Sequence, residues 1–306
     1  MRQKYQIFEE WPETEIEDQF QFSLFSRQQY WKNHLEEEQI LPLSLKQDGQ
    51  LKAFFCFQIN ENTLQTPVKA PYFEPYLFDK SSLYECLLII KEYLEKHYTT
   101  AQLVFTFPSS FNIQPILLEN SFQITDVAIS HYLSVSKEQT FMEQMLGKGA
   151  SRKRRKLRQL LEEDYLVEHV ARHEFAKYYK ILAQWRKEQN HRNIISYEHM
   201  LKQYQSFPDQ YHMLKVNRYF KTIGLAIFIK EKPETYYTYI LLKDAQIKED
   251  INLLLWHALY QKAQKEDISI IEMGTSMLAN GKINKGLAVY KSAIGGIITK
   301  KYTLKC

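Results

Sequence analysis

Apolar and polar positions along the chain follow two rhythms, and the order in which they appear repeats. Ile40–Leu45 and Leu51–Ile59 are short runs rich in aromatic and branched residues, which read as two strands joined through Asp48-Gly49, a strong hairpin signal. Leu83, Leu87, Ile90 and Leu94 recur at helical spacing and predict a helix over Ser81–His97, opened by serine. Leu103–Phe107 reads as a buried strand, Pro108–Asn120 as a turn and short helix, and Phe122–Val135 as a further strand. The second half follows the same order. Tyr211–Val216 and Thr222–Ile229 form a hairpin turning near Asn217-Arg218, and Tyr236–Leu242 adds a strand. Ile251, Leu254, Leu255, Ala258 and Leu259 mark one face of a helix starting near Asp250. Ile268–Met273 is a strand halted at Gly274, Asn284–Gly296 a short amphipathic helix closed by two glycines, and Ile297–Leu304 a last strand. Phe20–Leu35 and the segment carrying Phe175, Tyr178, Tyr179 and Leu182 read as additional helices.

Hairpin, strand, helix, strand, short helix and strand thus occur twice. The pattern predicts an α+β protein of two similar domains, each a mixed sheet flanked by helices, over residues 1–150 and 151–306. No apolar run approaches the ~20 residues that span a bilayer. The opening Met1-Arg2-Gln3-Lys4 lacks the apolar core of a signal peptide. Cys56, Cys86 and Cys306 have neither metal-ligand spacing nor a disulfide framework, which suits a reducing cytoplasm. His131, His169, His173 and His257 show no metal spacing and no nucleophile partner, and read as structural or surface residues.

Charge changes this picture in one place. The net charge is +4, and the stretch from Lys148 to Asp164 carries seven basic and three acidic residues, so the excess sits there. Six of the seven residues from Arg152 to Arg158 are Lys or Arg, with Leu157, Leu160 and Leu161 forming an apolar face. So many like charges on one helix require acidic neighbours or a bound polyanion. A solvated helix face and a polyanion site are both consistent with the run. As a nucleic-acid contact it offers about six phosphate partners at most, which predicts weak, salt-sensitive binding.

The stretch from Ile268 to Ile298 is the strongest candidate site. A strand ending at glycine leaves backbone N–H groups at its tip for a carbonyl or phosphate, and Gly274, Thr275 and Ser276 begin the polar loop there. Lys291 follows on the next helix beside Tyr290. A lysine on a helix face is ordinarily solvated, but this one lies at the edge of an apolar turn. Tyr236, Tyr237 and Tyr239 lie along one strand, with Tyr237 and Tyr239 sharing a face, where packing is the ordinary role.

The order of these features resembles the FemAB-like acyltransferases, tandem-GNAT proteins that include the Fem peptidyltransferases of peptidoglycan. The resemblance rests on the strand ending Glu272-Met273-Gly274, the polar loop, and Gly286-Leu287-x-x-Tyr290-Lys291-x-x-x-Gly295. The basic helix opening at Ser151, Ser196, Phe207-Pro208-Asp209 and the helix with Leu255-Trp256 agree in order, best from about 120 to 304. It implies acyl or aminoacyl transfer to a small-molecule or peptide-like amine, from an anionic donor such as acyl-CoA or aminoacyl-tRNA. It also implies a cleft lined by Lys291 and Tyr290, with Arg154 and Arg155 contributing on the acceptor side. Tyr72 and Tyr76, framed by Pro71 and Pro75, are similar to a Pro-x-x-x-Tyr loop of the family's first domain, and Tyr239 is a further substrate-side candidate. Glu272 stands where the family usually has aspartate. Neither donor has its standard motif: Lys243–Glu249 contains no glycine to hold a pyrophosphate, and Lys187–Gln205 is too short for the coiled-coil arm of the tRNA-using enzymes. The alternative reading is a catalytically silent protein that binds nucleic acid or another polyanion through the basic helix.

Overall fold

The computed structural model describes residues 5–61, 63–66, 70–98, 102–106, 122–189, 195–278 and 280–305. It divides into two compact units, one of Met1–Val127 with Lys301–Cys306, the other of Ala128–Lys300. The predicted segment Pro108–Asn120 lies outside the described residues.

The first unit pairs strands β1 (Gln6–Phe8), β2 (Ile40–Gln47), β3 (Gln50–Asn60), β4 (Thr63–Gln65) and β6 (Gln102–Thr106) in that order, with β5 (Tyr76–Leu77) on β3. The β2–β3 hairpin turns where predicted: Asp48 and Gly49 have φ of 51° and 77°, the left-handed pair that a two-residue turn between right-twisted strands requires. Helices α1 (Thr14–Gln19), α2 (Gln28–Lys32) and α3 (Leu83–His97) complete the unit, with Leu83, Leu87, Ile90 and Leu94 of α3 all buried. The continuous helix expected over Phe20–Leu35 is instead a 3-10 turn at Leu24–Ser26 followed by α2. Phe22, Leu24, Phe25, Tyr30 and Trp31 are all buried. At 100° per residue they would point all round one helix, so breaking the helix is what lets every ring reach the core. The indole of Trp31 donates to the Phe25 carbonyl at 2.9 Å, and the Glu17 carboxylate catches the Gln28 N–H at 3.0 Å.

Strands β7 (Gln123–Ser134) and β13 (Ile297–Lys305) each carry residues of both units. A boundary was expected at 150/151, whereas the compact division falls within β7, between Val127 and Ala128. The end of β13 returns to the first unit because Thr303–Lys305 pair with Val104–Thr106 of β6.

In the second unit the strand order is β7, β12 (Ile270–Thr275), β11 (Thr235–Lys243), β10 (Lys221–Lys232), β9 (Tyr211–Arg218), β8 (Leu166–His169). All neighbours are antiparallel except β11 and β12, which are parallel and joined by the crossover helix α8 (Asn252–Lys265). The other helices are α4 (Phe141–Gln144), α5 (Ala150–Glu162), α6 (Phe175–Glu188), α7 (Tyr197–Ser206) and α9 (Lys285–Ala293). Leu253, Leu254, Leu255, Trp256, Leu259 and Tyr260 of α8 pack with Phe228, Tyr236 and Ile271 into one core. The β9–β10 turn sits at Tyr219-Phe220, both left-handed, two residues beyond Asn217-Arg218. The turn is braced by Asn217, whose side chain donates to Glu168 at 2.8 Å and accepts from the Thr222 hydroxyl at 2.8 Å.

Of the two glycines that close α9, Gly295 has φ +97°, and a Cβ there would lie 2.4 Å from the backbone carbonyl of Gln144. Left-handed strain and a backbone clash combine, so Gly295→Ala is expected to cost roughly 2 kcal/mol. A thermal or urea melt with an undiminished midpoint would show that this close approach is not required.

Candidate functional site

The site is built by the end of β12 and by α9, which follows it across the polar loop of residues 276–284. The β11–β12 ladder stops at Tyr237 and Glu272, although both strands run on, so the two separate at this level. On its other side β12 pairs with β7 through a register shift between Glu272 and Thr275. Gly274 sits in that bulge with φ +71°, and a Cβ there would stand 3.7 Å from the Tyr237 hydroxyl and the Thr238 carbonyl. The strand therefore continues through Gly274 to Thr275 rather than ending at the glycine. The polar loop beyond is closed by a bridge between Met277 and Ile283, and α9 is capped by the Asn284 side chain, which accepts the Leu287 N–H at 3.0 Å.

Lys291 is 5% exposed, and its Nζ donates to the carbonyls of Gly274 at 2.7 Å and Thr275 at 3.0 Å. Free N–H groups were expected at the strand tip. The structure shows the opposite polarity: Gly274 and Thr275 present carbonyl oxygens to the lysine, and the Ser276 N–H is taken by the Ile129 carbonyl at 2.7 Å. The bulge turns carbonyls outward, and two of them fix the ammonium in place. Gly274, Thr275, Ser276 and Lys291 are thus brought together.

His131, read from sequence as structural or surface, belongs to the same cluster. It is fully buried on β7, with Nδ1 3.3 Å from the Ser276 hydroxyl and Nε2 3.5 Å from that of Ser292. Burial first, and then the Lys291 cation, push its pKa down to about 4, against the hydrogen bond with the Ala288 backbone. The imidazole is neutral at pH 7. The signal was the polar pair Ser130-His131 inside the strand, both fully buried, one on each face.

Tyr290 turns away from this cluster. Lys153 Nζ lies 4.1 Å over its ring and 2.6 Å from the Asp250 carboxylate. Burial, then the Asp250 charge, hold the Tyr290 phenol well above its ordinary pKa. Gly286, Val289, Tyr290 and Ala293, at helical spacing on α9, line a cavity of about 370 Å³ with Lys148, Gly149, Arg152, Lys153, Lys156 and Asp250. Helix α9 therefore has two working faces, one toward β12 through Lys291 and one toward this cavity.

The remaining candidates lie elsewhere. Arg154 donates to the Met145 carbonyl at 2.6 Å and to Ser151, which ties down the start of α5, and Arg155 is exposed and does not line the cavity. Tyr239 is half-buried on β11, close enough to Arg186 for the two to interact electrostatically. Tyr237, facing Gly274, has its phenol pushed above the usual range by burial and then by Glu272 and Glu231. Tyr72 and Tyr76 are in the first unit. Tyr72 is buried edge-on to Phe25 with Lys301 4.8 Å over its ring, and Tyr76 stacks on Phe22. Both rings pack against aromatic neighbours of the first unit. Among the described residues no group of His, Cys, Asp or Glu is placed to hold a metal ion, and no helix is long and apolar enough to cross a membrane.

No protein-family model matches this sequence. No curated protein matches it either. Solved structures do. FemX is similar over 98% of this chain and 96% of its own, at 9% identity and a TM-score of 0.72. L-PGS from Bacillus licheniformis is similar over 83% and 80%, at 11% identity and a TM-score of 0.56. A tandem GNAT protein from the clavulanic acid biosynthesis pathway is similar over 87% and 82%, at 10% identity and a TM-score of 0.52. At such identities the likeness speaks for the fold alone, and the agreement over nearly the whole of FemX makes this chain a FemX-type, tandem-GNAT fold.

Proposed function

We propose that the chain is an N-acyltransferase that moves an acyl or aminoacyl group to an amine, with Lys291 as the residue that stabilises the transition state. The observation that carries this reading is the Lys291 ammonium, buried and held by two carbonyls where β11 and β12 part. Attack of the amine nitrogen forms the C–N bond and drives the carbonyl electrons onto oxygen. Collapse of that oxyanion expels the thiol or ribose oxygen of the donor, which takes the proton lost by the amine. A cation held in position before the reaction stabilises the oxyanion with no reorganisation, and burial strengthens the effect by excluding water. Neutral His131 beside it neither competes for the oxyanion as a second charge nor offers a carboxylate that would neutralise Lys291.

The FemX and L-PGS likenesses support the transferase class and leave the donor open between an acyl-CoA thioester and an aminoacyl-tRNA. The acceptor on this reading is a small or peptide-like amine, and the reaction is placed in the cytoplasm. Mass spectrometry of ligands retained through native purification tests the class of ligand. A phosphate-bearing acyl donor or an amine acceptor is expected. Recovery of nucleic acid alone, held with no acyl group, would favour the binding-protein reading instead.

A further inference from the structure

We propose that the cavity lined by Lys148, Arg152 and Lys156 is a phosphate-binding site that holds the phosphate or pyrophosphate group of a small donor molecule. The word donor rests on the transferase reading, whereas the binding itself does not.

The structure sorts the basic run into separate roles. Arg154 is committed to the Met145 carbonyl and Lys153 to Asp250. Arg155 and Arg158 are exposed and outside the cavity. Arg152 and Lys156, one helical turn apart on α5, face the cavity together with Lys148 from the preceding loop. None of these three has a carboxylate partner among the described residues. The one acidic residue in the lining, Asp250, is already neutralised by Lys153 at 2.6 Å. The cavity is therefore strongly positive and has its own acid occupied. It is an open pocket of about 370 Å³, accessible to a ligand from solvent.

The connection between β11 and α8 is the other place where a phosphate could be held. A phosphate-binding turn there would need glycines and free N–H groups at the helix start. Here Asp244 accepts the Gln246 N–H and pairs with Lys221 at 3.0 Å, Lys243 bonds the Ile247 carbonyl, and Glu249 faces Arg218 at 3.8 Å. That connection has no glycine, and its polar groups are already tied to one another and to neighbouring cations, so it is not built as a phosphate cradle. Asp250 at its end is what anchors Lys153, and Lys153 sits over Tyr290, the residue before Lys291. Cations on α5 thus border α9 on the face opposite Lys291, and they supply the anion site that the β11–α8 turn does not.

Titration calorimetry with inorganic pyrophosphate tests this directly, using the full chain. Saturable 1:1 binding is expected, weakening as salt rises. The double variant Arg152→Gln/Lys156→Gln is expected to lose at least tenfold in affinity, while Arg155→Gln/Arg158→Gln on the outer side stays within twofold. Unfolding temperatures of both variants are measured alongside. No saturable binding by the wild type would overturn the site. So would equal losses in the two variants, or tighter binding of a 12-nucleotide RNA with equal losses in both, since these assign the charge to a diffuse nucleic-acid surface. Pyrophosphate binding in a protein that forms no amide from any donor would remove the transferase reading and leave the site standing.

Discussion

Replacing Lys291 with methionine lowers turnover about 10²-fold or more, the scale for removing one electrostatic stabiliser from an acyl-transfer site. Methionine keeps the length and apolar stem of the side chain, so the packing of α9 against β12 changes little. What disappears is the charge and two hydrogen bonds. A methionine leaves the buried Gly274 carbonyl without its donor, and leaving a buried acceptor unmade costs about 1–3 kcal/mol. The variant is therefore expected to be less stable as well as slower. The two effects separate experimentally, because a loss of turnover measured well below the unfolding temperature is not a loss of folded protein. A variant that is destabilised but turns over normally would make Lys291 a purely structural clamp.

The second large effect is acid sensitivity. His131 has a folded pKa of about 4, against an ordinary value of 6.5, because burial and then the Lys291 charge oppose its protonation. Above pH 6.5 it is neutral in both states and its contribution is complete. Between 6.5 and 4 the unfolded chain takes up the proton and the folded chain does not, so stability falls as pH falls. The loss approaches about 3 kcal/mol by pH 4, on the order of 1.4 kcal/mol per pH unit. His212, also held near 4 by burial and then Lys262, acts in the same direction. Urea unfolding at pH 7, 6, 5 and 4 measures the slope. His131→Asn should flatten it, and Lys291→Met should flatten it partly by relieving the charge on the imidazole. A slope unchanged in both variants would place the acid sensitivity elsewhere.

Much of the fold was legible because the local signals and the tertiary demands agree. Asp48-Gly49 is a turn that only its strands could use, and Leu83, Leu87, Ile90 and Leu94 form one stripe of α3. The Phe20–Leu35 segment misled because five buried aromatic and aliphatic side chains were too many for a single helical face, a constraint set by the core around them. At the site, Gly274 and Lys291 stand out in the sequence as members of one candidate cluster, but spacing gives no contact between them. Nor does it give the polarity of that contact, which depends on a bulge that turns carbonyls rather than N–H groups toward the lysine. The basic run was visible as charge, yet its division into a helix anchor, an Asp250 partner and a cavity lining follows from contacts nearly a hundred residues apart in sequence.

The central claim is amide formation, and the most direct measurement is to look for the amide. Wild-type protein is incubated with carbon-13-labelled acyl-CoA thioesters and, separately, with labelled aminoacyl-tRNAs, each with a pool of small and peptide amines. Products are read by mass spectrometry. The account predicts label in a new amide with one donor class, and at least 10²-fold less of it per unit time with Lys291→Met. Folded wild-type protein that transfers label to no amine from either donor class would contradict it.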